Sequence, residues 1–284
     1  MIVDYIKAII YGIIEGVTEW LPVSSTGHLI LLERFLRFDT RFLRADFAEQ
    51  FMSMFEVVIQ LGAILAVAVI YFKKLFPIGK NSRSVWTLLG KLILATIPAA
   101  LIGLSADAIC EKFLGVSLDA LLFTPSVVAS ALIIYGILFI LVEKFAPKNE
   151  LQEREISCRS ALAIGFFQAL AIIPGTSRSG ATILGARILG IGRKSAAEFS
   201  FFAAIPIIGA ASLLKLVDFG SYCAESSFKI PPQALIILAI ACITAFLVSL
   251  ITVKFLTEFV KKHSFTSFGV YRIILGICVL VFLR

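Results

Sequence analysis

Apolar residues run along this chain in blocks near the length that crosses a bilayer, at about 53 to 72, 86 to 106, 125 to 142, 196 to 216, 232 to 253 and 267 to 283. Each approaches the roughly 20 residues that a helix needs to traverse hydrocarbon, so six transmembrane helices are predicted. Two further apolar stretches are interrupted. The first centres on residues 12 to 28, where Glu15, Glu19, Ser24, Ser25, Thr26 and His28 sit between apolar flanks, with Pro22 and Gly27 as helix breakers. The second, residues 159 to 190, is broken by Pro174-Gly175-Thr176-Ser177-Arg178-Ser179-Gly180. Shifting the sequence by 153 residues brings Gly12 onto Gly165, Glu15 onto Gln168, Ser24 onto Ser177 and Gly27 onto Gly180. The expected fold is therefore an all-α polytopic membrane protein, with about six transmembrane helices and two re-entrant helical hairpins in an inverted-topology repeat. It forms a single integral membrane domain, 1–284, with a first repeat over about 1–143 and a second over about 157–284.

The positive-inside rule orients this arrangement. Cations near Lys73, Lys74, Lys80 and Arg83, near Lys144, Lys148, Arg154 and Arg159, at Arg193 and Lys194, and at Lys254, Lys261 and Lys262 all fall on one side, taken as cytoplasmic. The opposite loops are poor in cations, with Lys112 in one and Lys215 and Lys229 near the other. Residues 33 to 50 run against this pattern through Arg34, Arg37, Arg41 and Arg44, although Glu33, Asp39, Asp46 and Glu49 accompany them. The first hairpin then enters from outside and the second from the cytoplasm. The last span is expected to end with Arg284 snorkelling to the surface.

Composition agrees, with 59% hydrophobic and 16% charged residues and a mean hydropathy of +0.98. The net charge of +7 belongs to topology, because no basic helix or aromatic-basic interleaving stands outside the spans; no nucleic-acid partner is expected. Five cysteines show neither CxxC nor ligand spacing and read as apolar fillers. Asp4 and the early carboxylates spoil a cleavable signal, so the first segment is expected to stay. Small-residue runs such as Gly185-Ala186 offer close-packing surfaces for a homodimer.

An acidic side chain at mid-membrane costs on the order of 2.5 to 3.5 kcal/mol, so Glu15 and Glu19 should face a wet cavity. Four residues apart, they share one helix face, where a cation or a shared proton must sit between them. Pro22 stops that helix near Leu21, and the turn Ser24 to Gly27 opens a second half-helix whose N–H groups suit an anion. Opposed hairpins meet near the midplane, where Thr176 to Gly180 would face Ser24 to Gly27 and the cation Arg178 would find Glu15 and Glu19. A planar guanidinium with flanking serines suits phosphate. His28 either bonds a backbone carbonyl or acts as acid or base; Ser24 and Ser25 either cap the half-helix or, beside a base, supply a nucleophile. Gln168 reads as structural. Glu56, Gln60 and Glu198 line the cavity or lie at the interface, and Tyr271 and Arg272, opening the last span, read as interfacial anchors.

Glu-Gly-Val-Thr-Glu-Trp-Leu-Pro-Val-Ser-Ser-Thr-Gly-His at 15 to 28 and Pro-Gly-Thr-Ser-Arg-Ser-Gly at 174 to 180 closely resemble the two signatures of the bacitracin-resistance family of undecaprenyl-diphosphate phosphatases. The resemblance extends over the whole chain, including Phe199 to Gly209 and the Tyr271-Arg272 segment. It implies removal of the terminal phosphate of undecaprenyl diphosphate at the outer face of the bacterial inner membrane, which recycles the lipid carrier for cell-wall synthesis. By this similarity Glu15, Glu19, Ser25, His28 and Arg178 match active-site positions. Ser24, Thr26, Gly27, Thr176, Ser177, Ser179 and Gly180 are expected to bind substrate. A divalent cation, Mg2+ or Ca2+, is expected on Glu15 and Glu19. The competing reading is a lipid-phosphate flippase or transporter, since opposed broken helices are also a transporter architecture. Phosphate release in detergent separates the two, because transport needs two compartments.

Overall fold

The computed structural model describes residues 2–36, 38, 45–77, 82–145, 156–226 and 230–283. Arg37, Asp39, Arg41, Arg44, Lys80, Lys148, Arg154, Lys229 and Arg284, used above to judge topology, lie outside them. Helix is the form that lets an apolar segment satisfy its own backbone N–H and C=O groups without water. The first hairpin comprises α1 (Ile2–Thr18) and α2 (Ser25–Phe35). Helix α3 (Ala45–Ile70) follows, then the single turn α4 (Phe72–Leu75), the long α5 (Ser82–Leu114), the short α6 (Leu118–Leu122) and α7 (Pro125–Phe145). The second hairpin is α8 (Cys158–Ala169), a 3-10 turn at Leu170–Ile172, and α9 (Arg178–Ile188). Helices α10 (Arg193–Glu225), α11 (Pro232–Lys262) and α12 (Thr266–Phe282) complete the chain.

Each of the six predicted spans falls on a helix, the first running two residues past the end of α3 and the last one residue past the end of α12. Five of these helices are long and apolar enough to cross a membrane, while α12, at 17 residues, sits at the lower bound of a spanning length. Most exceed the predicted blocks because hydropathy marks only the part suited to hydrocarbon. Helices α5 and α10 have 33 residues each, about 50 Å of rise against roughly 30 Å of hydrocarbon, so they tilt or project beyond it. Three of the four hairpin helices are too short to cross: α2 and α9 have 11 residues each, about 17 Å, and α8 has 12, about 18 Å, while α1 has 17 residues, as α12 does.

Packing follows a two-fold pattern. Helix α1 lies on α11 as α8 lies on α5, while α3 crosses α10 and α7 crosses α12. Small residues set the approach: a Cβ at Gly12 would come within 2.5 Å of the Ala241 carbonyl oxygen, and one at Gly165 within 2.5 Å of that of Ala95. At the α7–α12 crossing, Gly136 and Gly269 face each other, each leaving only 2.6 to 2.7 Å between a Cβ and the other's carbonyl oxygen. Helices α1, α2, α3, α5 and α7 therefore correspond to α8, α9, α10, α11 and α12. The correspondence fails at one seam. Gly62 on α3, followed by Ala63, presses against the Cys242 carbonyl of α11, whereas Gly209 on α10, likewise followed by an alanine, meets no described atom within 4 Å. Helices α5 and α10 thus stand apart where α3 and α11 close together.

Gly185 and Ala186 do not offer the pairing surface expected of them. Both are buried, and Gly185 lies under the Phe167 ring of α8. Their small size serves packing inside the second hairpin.

Candidate active site

The two hairpin turns are built alike. Helical hydrogen bonding continues past α1, with Glu19 N–H donating to Glu15 O and Leu21 N–H to Val17 O, up to Pro22, which has no N–H to give. Ser24 then adopts φ 72° and Ser177 φ 70°, left-handed conformations that cost a non-glycine residue about 1 to 2 kcal/mol. Each hydroxyl accepts a hydrogen bond from the N–H three residues on, Gly27 at 3.2 Å and Gly180 at 3.1 Å. Ser24 and Ser177 are thus N-caps, and their strained backbone is held by the cap bond. Gly175, at φ 91°, passes against the Val128 carbonyl where no side chain fits.

The turns meet through specific bonds. Arg178 Nη2 lies 2.8 Å from Glu19 Oε1, Arg178 Nη1 donates to the Ser200 carbonyl at 2.7 Å, and the guanidinium sits 6.0 Å from the centre of the Trp20 ring. Ser25 Oγ donates to the other oxygen of Glu19, Oε2, at 3.1 Å. Ser179 Oγ reaches across to the Leu21 carbonyl at 3.3 Å. One carboxylate therefore holds a hydroxyl of the first hairpin and a cation of the second. Ser200 is itself bonded to Thr182 at 2.7 Å, so α9 and α10 together fix Arg178.

A cavity of about 270 Å³ opens at this junction. Glu19, Ser25, Thr26, Gln60, Ser177 and Arg178 give its lining polar groups, while Ala99 of α5 and Ile207, Ile208 and Ala211 of α10 give it apolar ones. It occupies the seam where the two-fold packing is broken. Gln168 also lines it and donates to the Ala95 carbonyl at 3.3 Å, tying α8 to α5.

The remaining candidates are not among this cavity's lining residues. Glu15 is fully buried, with no donor on either carboxylate oxygen and the Glu19 carboxylate within hydrogen-bonding reach, so a shared proton or a cation must join the two; Glu56 and Arg178 are within electrostatic reach. A buried carboxylate without a donor needs a cation or proton beside it. Among the described residues no three His, Cys, Asp or Glu side chains converge as metal ligands. Glu15 and Glu19 alone suit a hard ion that keeps waters and takes its other ligands from phosphate oxygens, as Mg2+ does. His28 is not bonded to Glu19: its Nδ1 is 2.7 Å from the Ser24 carbonyl and its Nε2 2.7 Å from the Tyr271 hydroxyl. Gly27 and Gly180 admit close neighbours, Leu132 and Arg272 respectively, and the Thr176 carbonyl accepts from Arg272. Glu198 pairs with Lys74 at 2.8 Å, away from the cavity.

Arg272 corrects the expectation of an interfacial anchor. It is fully buried and donates to Pro22 O at 3.2 Å in the first turn and to Gly175 O and Thr176 O at 2.8 and 2.9 Å in the second. Tyr135 of α7 lies beneath it, 5.6 Å from ring centre to guanidinium. A cation at the seventh position of a 17-residue apolar helix is deeper than an anchor requires, and that depth was the available signal. Ser200 carried none, since a serine in a long apolar helix has many uses.

The comparisons agree with this geometry. The family model described as bacitracin resistance protein BacA matches residues 8–278. An undecaprenyl-diphosphatase of Acetivibrio thermocellus is 47% identical over 291 residues, covering 98% of this chain and 97% of the relative. One of Lactococcus lactis subsp. cremoris is 45% identical over 294 residues, covering 98% and 97%. One of Streptococcus suis is 47% identical over 290 residues, covering 99% and 98%. With a family match over nearly its whole length and both signature turns meeting at one cavity, the chain belongs to the BacA bacitracin resistance protein family.

Proposed function

We propose that this protein hydrolyses undecaprenyl diphosphate to undecaprenyl phosphate and inorganic phosphate in the bacterial inner membrane, with its site opening to the outer face, and so recycles the carrier and confers bacitracin resistance. The observation that carries this reading is the Ser25–Glu19–Arg178 chain of bonds across the two hairpins, in the wall of a cavity lined by both polar and apolar side chains. The cavity takes the headgroup. The prenyl tail, too long for that volume, leaves through the α5–α10 seam into lipid, so the substrate need not be drawn into water.

Arg178 forks onto the oxygens of the terminal phosphoryl group, the recognition for which a guanidinium is shaped. The N-terminal ends of α2 and α9 add their positive dipole ends. Ser25 attacks phosphorus through Oγ as its proton passes to Glu19 Oε2, the acceptor it already faces, and the bond to the departing undecaprenyl phosphate breaks. Water then cleaves the phosphoserine. Glu15 and Glu19 would hold Mg2+ or Ca2+, which when bound offsets the negative charge on the phosphoryl oxygens. Glu15 gives such an ion a buried carboxylate that no donor holds.

The test is phosphate release by the purified protein in detergent, with Mg2+ or Ca2+ and with a chelator. Cation-dependent release is expected. Folded protein that releases no phosphate under either condition would remove the hydrolase reading and leave lipid translocation in its place.

A further inference from the structure

Tyr271 stands half-exposed on the first hairpin's side of α12, stacked on His28 with ring centres 5.6 Å apart and planes within 9°. Its hydroxyl is 2.7 Å from His28 Nε2, while Nδ1 is 2.7 Å from the Ser24 carbonyl. A carbonyl only accepts, so Nδ1 carries the hydrogen. In the neutral imidazole Nε2 then holds the lone pair, and the phenol donates to it.

The repeat shows that the fold does not need this pair. The 153-residue shift that superposes the capping serines places Ala181 at the position of His28. The facing glycines Gly136 and Gly269 set the α7–α12 correspondence at 133 residues, which places Leu138 at the position of Tyr271. Helix α9 packs on α7 as α2 packs on α12, yet both partners there are apolar. Histidine and tyrosine meet where α12 packs on the hairpin that carries Glu15, Glu19 and Ser25, and both are replaced where α7 packs on the hairpin that lacks those residues.

We propose that Tyr271 is a positioning residue that fixes His28 as a proton acceptor, with Nδ1 protonated and the Nε2 lone pair held on the Tyr271 hydroxyl, on the same helix as Ser25 and three residues from it. Resting on the phosphatase reading above, the role this prepares is in the second step. Water attacks the phosphoserine phosphorus, its proton goes to His28 Nε2, and the bond from phosphorus to Ser25 Oγ breaks with the proton held by Glu19 returning to Oγ. The phenol holds Nε2 until that water takes its place.

The chain has two histidines, so His263→Gln protein labelled with ¹⁵N-histidine reports on His28 alone. Wild-type Tyr271 should give one tautomer, with a protonated Nδ1 and a hydrogen-bonded, unprotonated Nε2. Tyr271→Phe should move the Nε2 resonance toward that of an unbonded lone pair and mix the tautomers. In steady state it should lower kcat about tenfold with KM within about twofold, the equivalent of about 1.4 kcal/mol, and have no further effect in a His28→Ala background. A protonated Nε2 in the wild type, an unchanged spectrum in Tyr271→Phe, or an equal kcat loss in both backgrounds would overturn the proposal. Wild-type protein that releases no phosphate but shows the expected spectrum would sink the phosphatase reading and the step assigned to His28, while leaving the tautomer assignment standing.

Discussion

Replacing Arg272 with methionine tests whether the two hairpins work as one site. Methionine nearly fills the space but donates nothing, so the Pro22, Gly175 and Thr176 carbonyls lose bonds of 3.2, 2.8 and 2.9 Å. An uncompensated buried carbonyl costs about 1 to 3 kcal/mol in soluble proteins, whereas polar contacts in membrane proteins average about 0.6 kcal/mol. Three such groups span about 2 to 9 kcal/mol. Part is offset by removing a buried guanidinium that no carboxylate contacts among the described residues, so a loss of about 2 kcal/mol is expected. It would be read as a lowered melting temperature in detergent. The effect on activity should be larger. The three carbonyls belong to different hairpins, and a relative shift of about 1 Å between Ser25 and Arg178 would lower kcat about 100-fold. Arg272→Lys keeps the charge without the planar fork and should recover stability better than kcat. Wild-type kcat and melting temperature in the methionine variant would refute the reasoning.

Arg178→Lys should lose about 100-fold in kcat although its charge remains, because one ammonium cannot hold Glu19 and Ser200 and also fork onto phosphate; near-normal turnover would remove Arg178 from phosphate recognition. Ser25→Ala should fall as far as Glu19→Ala, and a phosphorylated Ser25 peptide should be recoverable from rapidly quenched wild-type reactions; substantial turnover by the alanine variant would argue against the covalent route. Gly136→Ala puts a Cβ within 2.7 Å of the Gly269 carbonyl and should cost about 1 to 3 kcal/mol in thermal unfolding. Gly209→Ala, with no described atom within 4 Å, should leave stability equal or improved.

Spans were legible because hydrocarbon imposes one requirement on every residue it covers. The breaks were legible for a related reason: Pro22 and Pro174-Gly175 stand inside apolar sequence with polar residues that a straight helix could not carry. The 153-residue shift then picked out the serines that share a left-handed backbone and a cap bond. It also placed Arg178 opposite the glutamates, although it could not choose between them; the structure pairs Arg178 with Glu19 and buries Glu15 behind it. The depth of Arg272 in its helix was a signal, but its partners were illegible, because they are backbone carbonyls about 100 and 250 positions away. Carbonyls leave no mark in sequence. Gly185-Ala186 misled for the opposite reason, since small residues signal close packing without saying whether the neighbour is another chain or the same one.

The central claim is that Glu19 and Arg178, from opposite repeats, form one hydrolytic centre. The measurement that tests it most directly is phosphate release from undecaprenyl diphosphate by wild type, Glu19→Ala and Arg178→Ala, each first shown to be folded by its melting temperature. Release by wild type that is lost in both variants is the predicted result. Full activity in either folded variant would contradict it and move the chemistry away from the junction of the two hairpins.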